Sequence, residues 1–217
     1  MIVTIDGPGG SGKSTAARGL AERLGFLFLD TGAMYRVVAL IALEEGIDPD
    51  DRQRVAEIAK IVDVTFQKET VLSNGVDVSE AIRTPNVTEA ASVVAQNGAV
   101  RQAMVTLQRR LAEGKNVVSE GRDQGTVAFP DAGCKFFLTA DPEKRALRRQ
   151  QEMELRGLDV SVEETLRQLQ DRDKRDASRD VAPLKAADDA VCIDTTNMSI
   201  DETVDLLEQT VRGKTES

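Results

Sequence analysis

The sequence predicts an α/β fold, with one parallel sheet of five short strands layered between helices and interrupted by a small hairpin. Three observations predict it. Short apolar runs alternate with helical patterns along most of the 217 residues, as strands joined by crossover helices require. A glycine-rich turn, Gly7 to Ser14, separates the first apolar run from the first helical pattern. The alternation breaks once, between Val64 and Val78, around Asn74-Gly75, the strongest short-range signal for a two-residue hairpin turn.

Taken in order, Ile2–Ile5 reads as the first strand and Ser14–Leu24 as the first helix, with Ala16, Ala17, Leu20 and Leu24 at helical spacing and Gly25 placed to end it. Phe26–Leu29 is a second strand. Residues 33–45 read as a helix, with Met34, Val37, Val38, Ile41 and Ala42 on one side, and residues 51–62 as another. The hairpin segment follows as an insertion, and helical patterns return from about Pro85 to Glu113. Asn116–Ser119, Cys134–Leu138 and Ala190–Ile193 supply the remaining strands. The last helix opens at Ser199-Ile200-Asp201-Glu202, a capping box, and runs to about Arg212.

Composition narrows the chemistry. At 41% hydrophobic the chain can bury a core, and a net charge of −9 argues against a nucleic-acid binder. Histidine is absent. That excludes Ser-His and Cys-His nucleophile pairs and every histidine-containing zinc site, leaving Lys, Arg, Asp, Glu, Ser, Thr and backbone groups. Cys134 and Cys192 each sit in an apolar run and read as two buried thiols rather than a disulfide. MIVTIDG lacks the features of a signal peptide and no stretch is long enough to span a membrane. A cytoplasmic protein is expected.

The segment Gly7-Pro8-Gly9-Gly10-Ser11-Gly12-Lys13-Ser14 matches G-x-x-x-x-G-K-[ST] and lies between a predicted strand and a predicted helix, the context the motif demands. Together with Thr15 it forms a P-loop that predicts ATP binding. Its glycines let successive N–H groups point into one concavity, and the helix N-terminus adds positive partial charge. Lys13 then reaches the β- and γ-phosphates, and the Ser14 hydroxyl can ligate Mg²⁺. No Asn-Lys-x-Asp guanine reader and no Asp-x-x-Gly-Gln switch occurs, so a signalling GTPase is disfavoured. The length suits a small-molecule kinase better than a motor ATPase.

Residues 141–180 are unusual, with 21 charged side chains in 40 positions, 10 basic and 11 acidic. Such balance describes a solvated helix laced with i,i+4 pairs. It does not explain why Arg172, Arg175 and Arg179 recur near helical spacing around Asp176, as an arm closing over phosphates would need. Arg122-Asp123 directly follows a strand, where ligands meet open α/β sheets.

Several separated motifs, in order, resemble the cytidylate kinases, the CMP/dCMP branch of the nucleoside monophosphate kinases. They are DGPGGSGKS at 6–14, LDTGAMYR at 29–36, EAIRT at 80–84, EGRDQGTVAFP at 120–130, FFLTAD at 136–141, RDKRDASRDVAPL at 172–184 and IDTT at 193–196. The likeness spans the chain, and the hairpin falls where this branch carries an insertion. The resemblance implies a single P-loop kinase domain over residues 1–217. Its parallel-sheet core holds ATP, a monophosphate-binding arm covers about 31–101, and a short helical lid covers about 148–176.

Carried over by position, Thr31 and Tyr35 fall near the acceptor sugar, and Arg36, Arg122 and Arg179 on the acceptor phosphate. Ser92, Arg101 and Asp123 fall on the cytosine edge, and Arg172 and Asp176 on the ribose hydroxyls. Lys13, Arg122, Arg172 and Arg179 are thereby the implied catalytic set, with Arg145, Arg148 and Arg175 as further candidates to neutralise the transferring group. An Asp accepting from the cytosine amino group and an Arg donating to the ring would be left unpaired by uracil. Blander readings stand beside these. Arg36 suits a surface pair with Glu44 or Glu45, Arg101 a solvated helix face, Asp176 a neutraliser of its basic neighbours. Asp30 suits either a cap or a group orienting metal waters. The expected partners are ATP and CMP or dCMP alone, with no nucleic acid and no membrane, on a monomer. The rivals are a UMP or AMP kinase, a kinase for a metabolite hydroxyl, and a non-catalytic nucleotide switch.

Overall fold

Five parallel strands align in the order β2-β6-β1-β7-β8 in the computed structural model, which describes residues 1–67, 70–179 and 181–215. They are β1 (Ile2–Asp6), β2 (Leu27–Asp30), β6 (Val117–Gly121), β7 (Cys134–Thr139) and β8 (Val191–Asp194). All five predicted strands are present, each ending one residue or more beyond its expected limit. Lys68 and Glu69 of the hairpin segment and Asp180 of the charged segment lie outside the described residues.

The chain forms two compact units, residues 1–28 with 114–217, and residues 29–113. In the first, α1 (Lys13–Leu24) packs against α8 (Ile200–Thr215) over the sheet. Val3, Ile5, Leu20, Phe136, Leu138 and Leu207 form a fully buried core there, each such side chain stabilising the fold by about 1.5–3 kcal/mol relative to exposure. Strand periodicity sends Val3 and Ile5 into this core and Thr4 and Asp6 to the opposite face, where a turn of π-helix at Gln124–Ala128 packs. Helices α6 (Pro142–Glu154) and α7 (Val162–Ala177) pack together as a hairpin. Gly25 closes α1 at φ 67°, with Phe26 N donating to Ala21 O, a left-handed cap that favours glycine. The predicted capping box is formed: Ser199 Oγ accepts from Glu202 N, and Glu202 accepts from Ser199 N.

The second unit holds α2 (Thr31–Glu44), α3 (Arg52–Ile61), α4 (Pro85–Val94), α5 (Gly98–Ala112) and a separate antiparallel sheet of β3 (Val64–Gln67), β4 (Thr70–Ser73) and β5 (Val76–Asp77). Asn74 and Gly75 adopt φ 48° and 82° between the paired residues Ser73 and Val76. This is the tight turn the sequence predicts, and β3 extends the hairpin to three strands. Helix α2 begins two residues early because the Asp30 side chain caps it, accepting from Ala33 N at 2.8 Å. The helical stretch after Pro85 divides at Asn97, whose side chain accepts from Ala99 N and donates to Arg52 O. One expectation fails: Cys134 is buried but Cys192 is exposed, because β8 is the edge strand of its sheet.

Candidate active site

The P-loop joins β1 to α1 in a conformation its glycines make possible. A Cβ on Gly7, at φ 146°, would stand 2.1 Å from Leu138 O, and one on Gly10, at φ 75°, would stand 2.7 Å from Arg145 O. Two loop carbonyls are engaged by neighbours: Gly9 O accepts from Arg145 Nη1 at 3.0 Å and Ser11 O from Thr195 Oγ1 at 3.0 Å. Lys13 is buried. Its ammonium donates to Pro8 O at 3.3 Å and lies 3.9 Å from Glu120 Oε2. Burial, then the like charge of Arg122, lower that ammonium to about 7, with Glu120 opposing. Ser14 and Thr15 are exposed in the first turn of α1, where helix N–H groups favour anions.

Beside the loop, three guanidinium groups converge on one carboxylate. Asp176 is 1% exposed. It accepts from Arg122 Nε at 3.0 Å and from Arg179 Nη2, and Arg172 Nε stands 3.9 Å away. Burial alone would raise the Asp176 carboxyl, but Arg122, Arg179 and Arg172 outweigh it and hold the group below its ordinary value. In a chain of net charge −9 this cluster gathers three positive side chains on one carboxylate. It adjoins the P-loop, since Arg122 Nη2 lies 3.8 Å from where a Gly9 Cβ would be. Asp123, next in the chain, is buried at the start of the π-helical turn. Asp176 therefore does neutralise its basic neighbours, and in doing so it gathers them.

The three further arginine candidates have partners of their own. Arg145 is buried and binds Ala140 O, Gly9 O and Asp173. Arg148 donates to Thr195 Oγ1, Thr195 O and Met198 O, with its Nη1 4.0 Å from where a Gly12 Cβ would be. Arg175 is exposed and donates to Asp171 O. Arg145 and Arg148 thus brace the P-loop and the loop after β8. Glu120 was missed by sequence reasoning. The signal was present: an acidic residue near the end of an apolar strand that pairs with the P-loop strand.

The second unit brings together a different set. Thr31 is buried in the first turn of α2 and Tyr35 one turn later. Arg36 reaches back along α2, its Nη2 standing 3.3 Å from where a Gly32 Cβ would be. Arg101 on α5 is 4% exposed, so it is not a solvated face residue. It lies over the Tyr35 ring at 5.5 Å and donates to Ala95 O at 3.1 Å. Ser92 on α4 is buried, and its hydroxyl has no hydrogen-bond partner among the described residues. A buried hydroxyl without a partner is costly, and a ligand atom would satisfy it. No ion pair joins Arg36 to Glu44 or Glu45 among the described residues.

The donors also fit a magnesium ion carried on phosphates. Mg²⁺ takes hard oxygen ligands and keeps most of its waters. Ser14 offers an exposed hydroxyl and Glu120 a carboxylate beside Lys13. Among the described residues no group of three or more His, Cys, Asp or Glu could cage a metal. Asp30 caps α2 through Oδ1. No helix among the described residues is long and apolar enough to cross a membrane.

Comparison with known proteins agrees with this architecture. A crystal structure of an uncharacterised Eubacterium ventriosum protein superposes with a TM-score of 0.57 at 15% identity, covering 98% of both chains. The shikimate kinase of Bacteroides thetaiotaomicron gives 0.50 at 14% identity, again over 98% of both. These likenesses speak to fold alone. Sequence is more specific. The cytidylate kinase of Caldanaerobacter subterraneus subsp. tengcongensis is 46% identical over 98% of this chain and 95% of its own length. That of Desulforamulus reducens is 48% identical over 93% and 92%. The family model for cytidylate kinase matches residues 3–213. With P-loop, arginine cluster and buried polar set all inside the matched region, the chain belongs to the cytidylate kinase family.

Proposed function

We propose that this enzyme transfers the γ-phosphoryl group of ATP to CMP and dCMP, giving CDP or dCDP and ADP, as a monomeric cytoplasmic kinase of pyrimidine nucleotide metabolism. The observation that carries the reading is the guanidinium cluster on Asp176 beside the P-loop. It sets a second cluster of positive charge next to the phosphate loop, as a phosphate acceptor requires.

The chemistry follows from charge. A phosphate acceptor is already an oxyanion, so no strong general base is needed, and none of the histidine type exists in the chain. Catalysis is then positioning and electrostatic stabilisation. The P-loop N–H groups and Lys13 hold the donor phosphates. Ser14, with Glu120 in support, would hold a Mg²⁺ ion, which would supply positive charge to the donor oxygens. Arg122, Arg172 and Arg179 hold the acceptor phosphate and spread the charge of the transferring group, and Arg36 adds to that grip. Arg101, Ser92 and Asp123 read the cytosine edge, Thr31 and Tyr35 line the sugar, and Asp176 with Arg172 meets the ribose hydroxyls. The α6–α7 hairpin serves as the lid and residues 31–101 as the monophosphate-binding arm, closure excluding water from the transfer.

The test is ADP formation from Mg-ATP with CMP, dCMP, UMP, AMP and GMP offered separately. Turnover with CMP and dCMP well above the others is the expected result. Turnover confined to another monophosphate overturns the acceptor assignment, and ATP consumption independent of any acceptor overturns the kinase assignment.

A further inference from the structure

The carboxylate that ends β1 is not absorbed by the mechanism above. Asp6 immediately precedes Gly7, yet it points away from the P-loop to the opposite face of the sheet. It is 4% exposed. Its Oδ1 accepts from Gln124 N at 2.9 Å and its Oδ2 from Gly125 N at 2.8 Å. These are the leading N–H groups of the π-helical turn, which have no partner within the turn itself. Both oxygens of one buried carboxylate thus grip the turn that follows Arg122-Asp123.

The same turn is fixed from two further directions. Ser119 Oγ donates to the Gln124 side chain at 2.8 Å. At Gly125 an added Cβ would meet Thr4 Oγ1 at 3.0 Å, Lys135 Cδ at 3.2 Å and Asp6 Oδ2 at 3.5 Å, so the backbone lies flush against β1 because it carries no side chain. Arg122 is held ahead of the turn by Gly121 O and Asp176. The groups facing Asp6 are Asp123 and Arg122, of opposite sign, with Lys135 alongside. Burial pushes the Asp6 carboxyl up to about 6, the Gly125 and Gln124 N–H groups opposing, so it is mostly ionised at pH 7 and above. The bonds it makes are charge-assisted, roughly twice as strong as neutral ones.

We infer that Asp6 is a positioning residue for substrate selection: it clamps the turn behind Arg122-Asp123 to the strand that carries the P-loop, fixing the base-reading carboxylate relative to the phosphate loop. The inference rests on the reading of Asp123 given above. Asp6 touches neither nucleotide in this scheme. It acts by denying the Asp123 backbone the freedom to follow the wrong base, since geometry at a reading group must hold to a fraction of an ångström.

Asp6→Asn keeps the size but replaces one acceptor oxygen with a donor facing an N–H group. Gly125→Ala displaces the same turn by crowding it against Thr4 and Lys135 while the Asp6 carboxylate is retained, and it carries the test should the first variant fold poorly. The measured quantity is the ratio of kcat/KM for CMP to that for UMP, which cancels any loss of active enzyme. Both variants should lower the ratio by about ten- to a hundredfold, with KM for ATP changed less than KM for CMP. An unchanged ratio in a folded Asp6→Asn enzyme overturns the proposal. Asp123→Asn, measured beside it, separates the causes: if that variant lowers the ratio, the base reader stands without Asp6, and if it does not, the reader falls as well.

Discussion

The two units hold their functional side chains by different means. In the first, the charged groups beside the phosphate loop are matched to partners: Lys13 to Glu120 and Pro8 O, Arg122, Arg172 and Arg179 to Asp176, Arg145 to Asp173 and Gly9 O. In the second, an aromatic ring and a backbone carbonyl do the holding. Arg101 lies over Tyr35 and donates to Ala95 O, and the buried Ser92 hydroxyl has no partner among the described residues. The lesson is that a site for phosphates is set by charges arranged in advance, where reorganisation would be expensive. On the reading proposed above, the Ser92 hydroxyl leaves a hydrogen bond for the ligand to complete in the second unit, as the buried Ser11 hydroxyl does in the phosphate loop of the first.

The comparison breaks hardest at Lys13. Lys13→Ala should lower kcat by about a thousandfold in a steady-state assay normalised to the folded fraction, since the change also leaves the buried Glu120 without its partner. Asp176→Asn comes next. It leaves buried guanidinium groups without their carboxylate, a loss of about 3–5 kcal/mol in denaturant unfolding. Inorganic phosphate should restore more stability to this variant than to the parent protein, because an anion replaces the missing charge. Equal effects of phosphate on both would show that the cluster is no anion site. Ser92→Ala sharpens the contrast from the other side. Removing an unsatisfied hydroxyl should leave thermal stability unchanged or slightly higher while KM for CMP rises about fivefold, the worth of roughly 1 kcal/mol of hydrogen bond. A fall in stability with KM unchanged would make Ser92 a packing residue.

The smallest effect is a proton. Burial and Arg122 lower the Lys13 ammonium to about 7, so at pH 8 much of it is neutral in the free protein. A bound triphosphate favours the charged form, and ATP binding at that pH should take up about one proton or less. Calorimetry in buffers of different ionisation enthalpy reads this directly. Uptake should fade below pH 6, where Lys13 is already charged. No uptake at pH 8 would mean that Glu120 already keeps the ammonium ionised.

Much of this was legible before any coordinates. The P-loop, the order of strands and helices, the Ser199 capping box and the Asn74-Gly75 turn are local patterns whose physical causes lie within a few residues of one another. The resemblance of whole motifs named the candidate site residues, and two of them, Arg122 and Asp176, meet across 54 residues of sequence. What stayed hidden is long-range. Nothing near Asp6 says that it will meet Gln124 across 118 residues; that contact depends on β1 and β6 being neighbours in parallel register. Arg145 looked like its neighbours on a charged helix, and only tertiary placement turns it toward Gly9 O. Cys192 misled because an apolar strand at a sheet edge carries the same local pattern as one in the middle.

The split of the first unit has a consequence for synthesis. Its strand β1 pairs with β6 and β7, and both are encoded after residue 113. The second unit is a continuous stretch between them, so its contacts are all available while the sheet that seats the P-loop is still incomplete. Domains form as their residues emerge, and closing a long chain segment before any pairing is rewarded is slow. The nucleotide-binding motif therefore leaves the ribosome well before the strands that flank it, and acquires its shape only when they arrive. A nascent chain halted before residue 114 carries every residue of the phosphate loop and has no sheet on which to hold them.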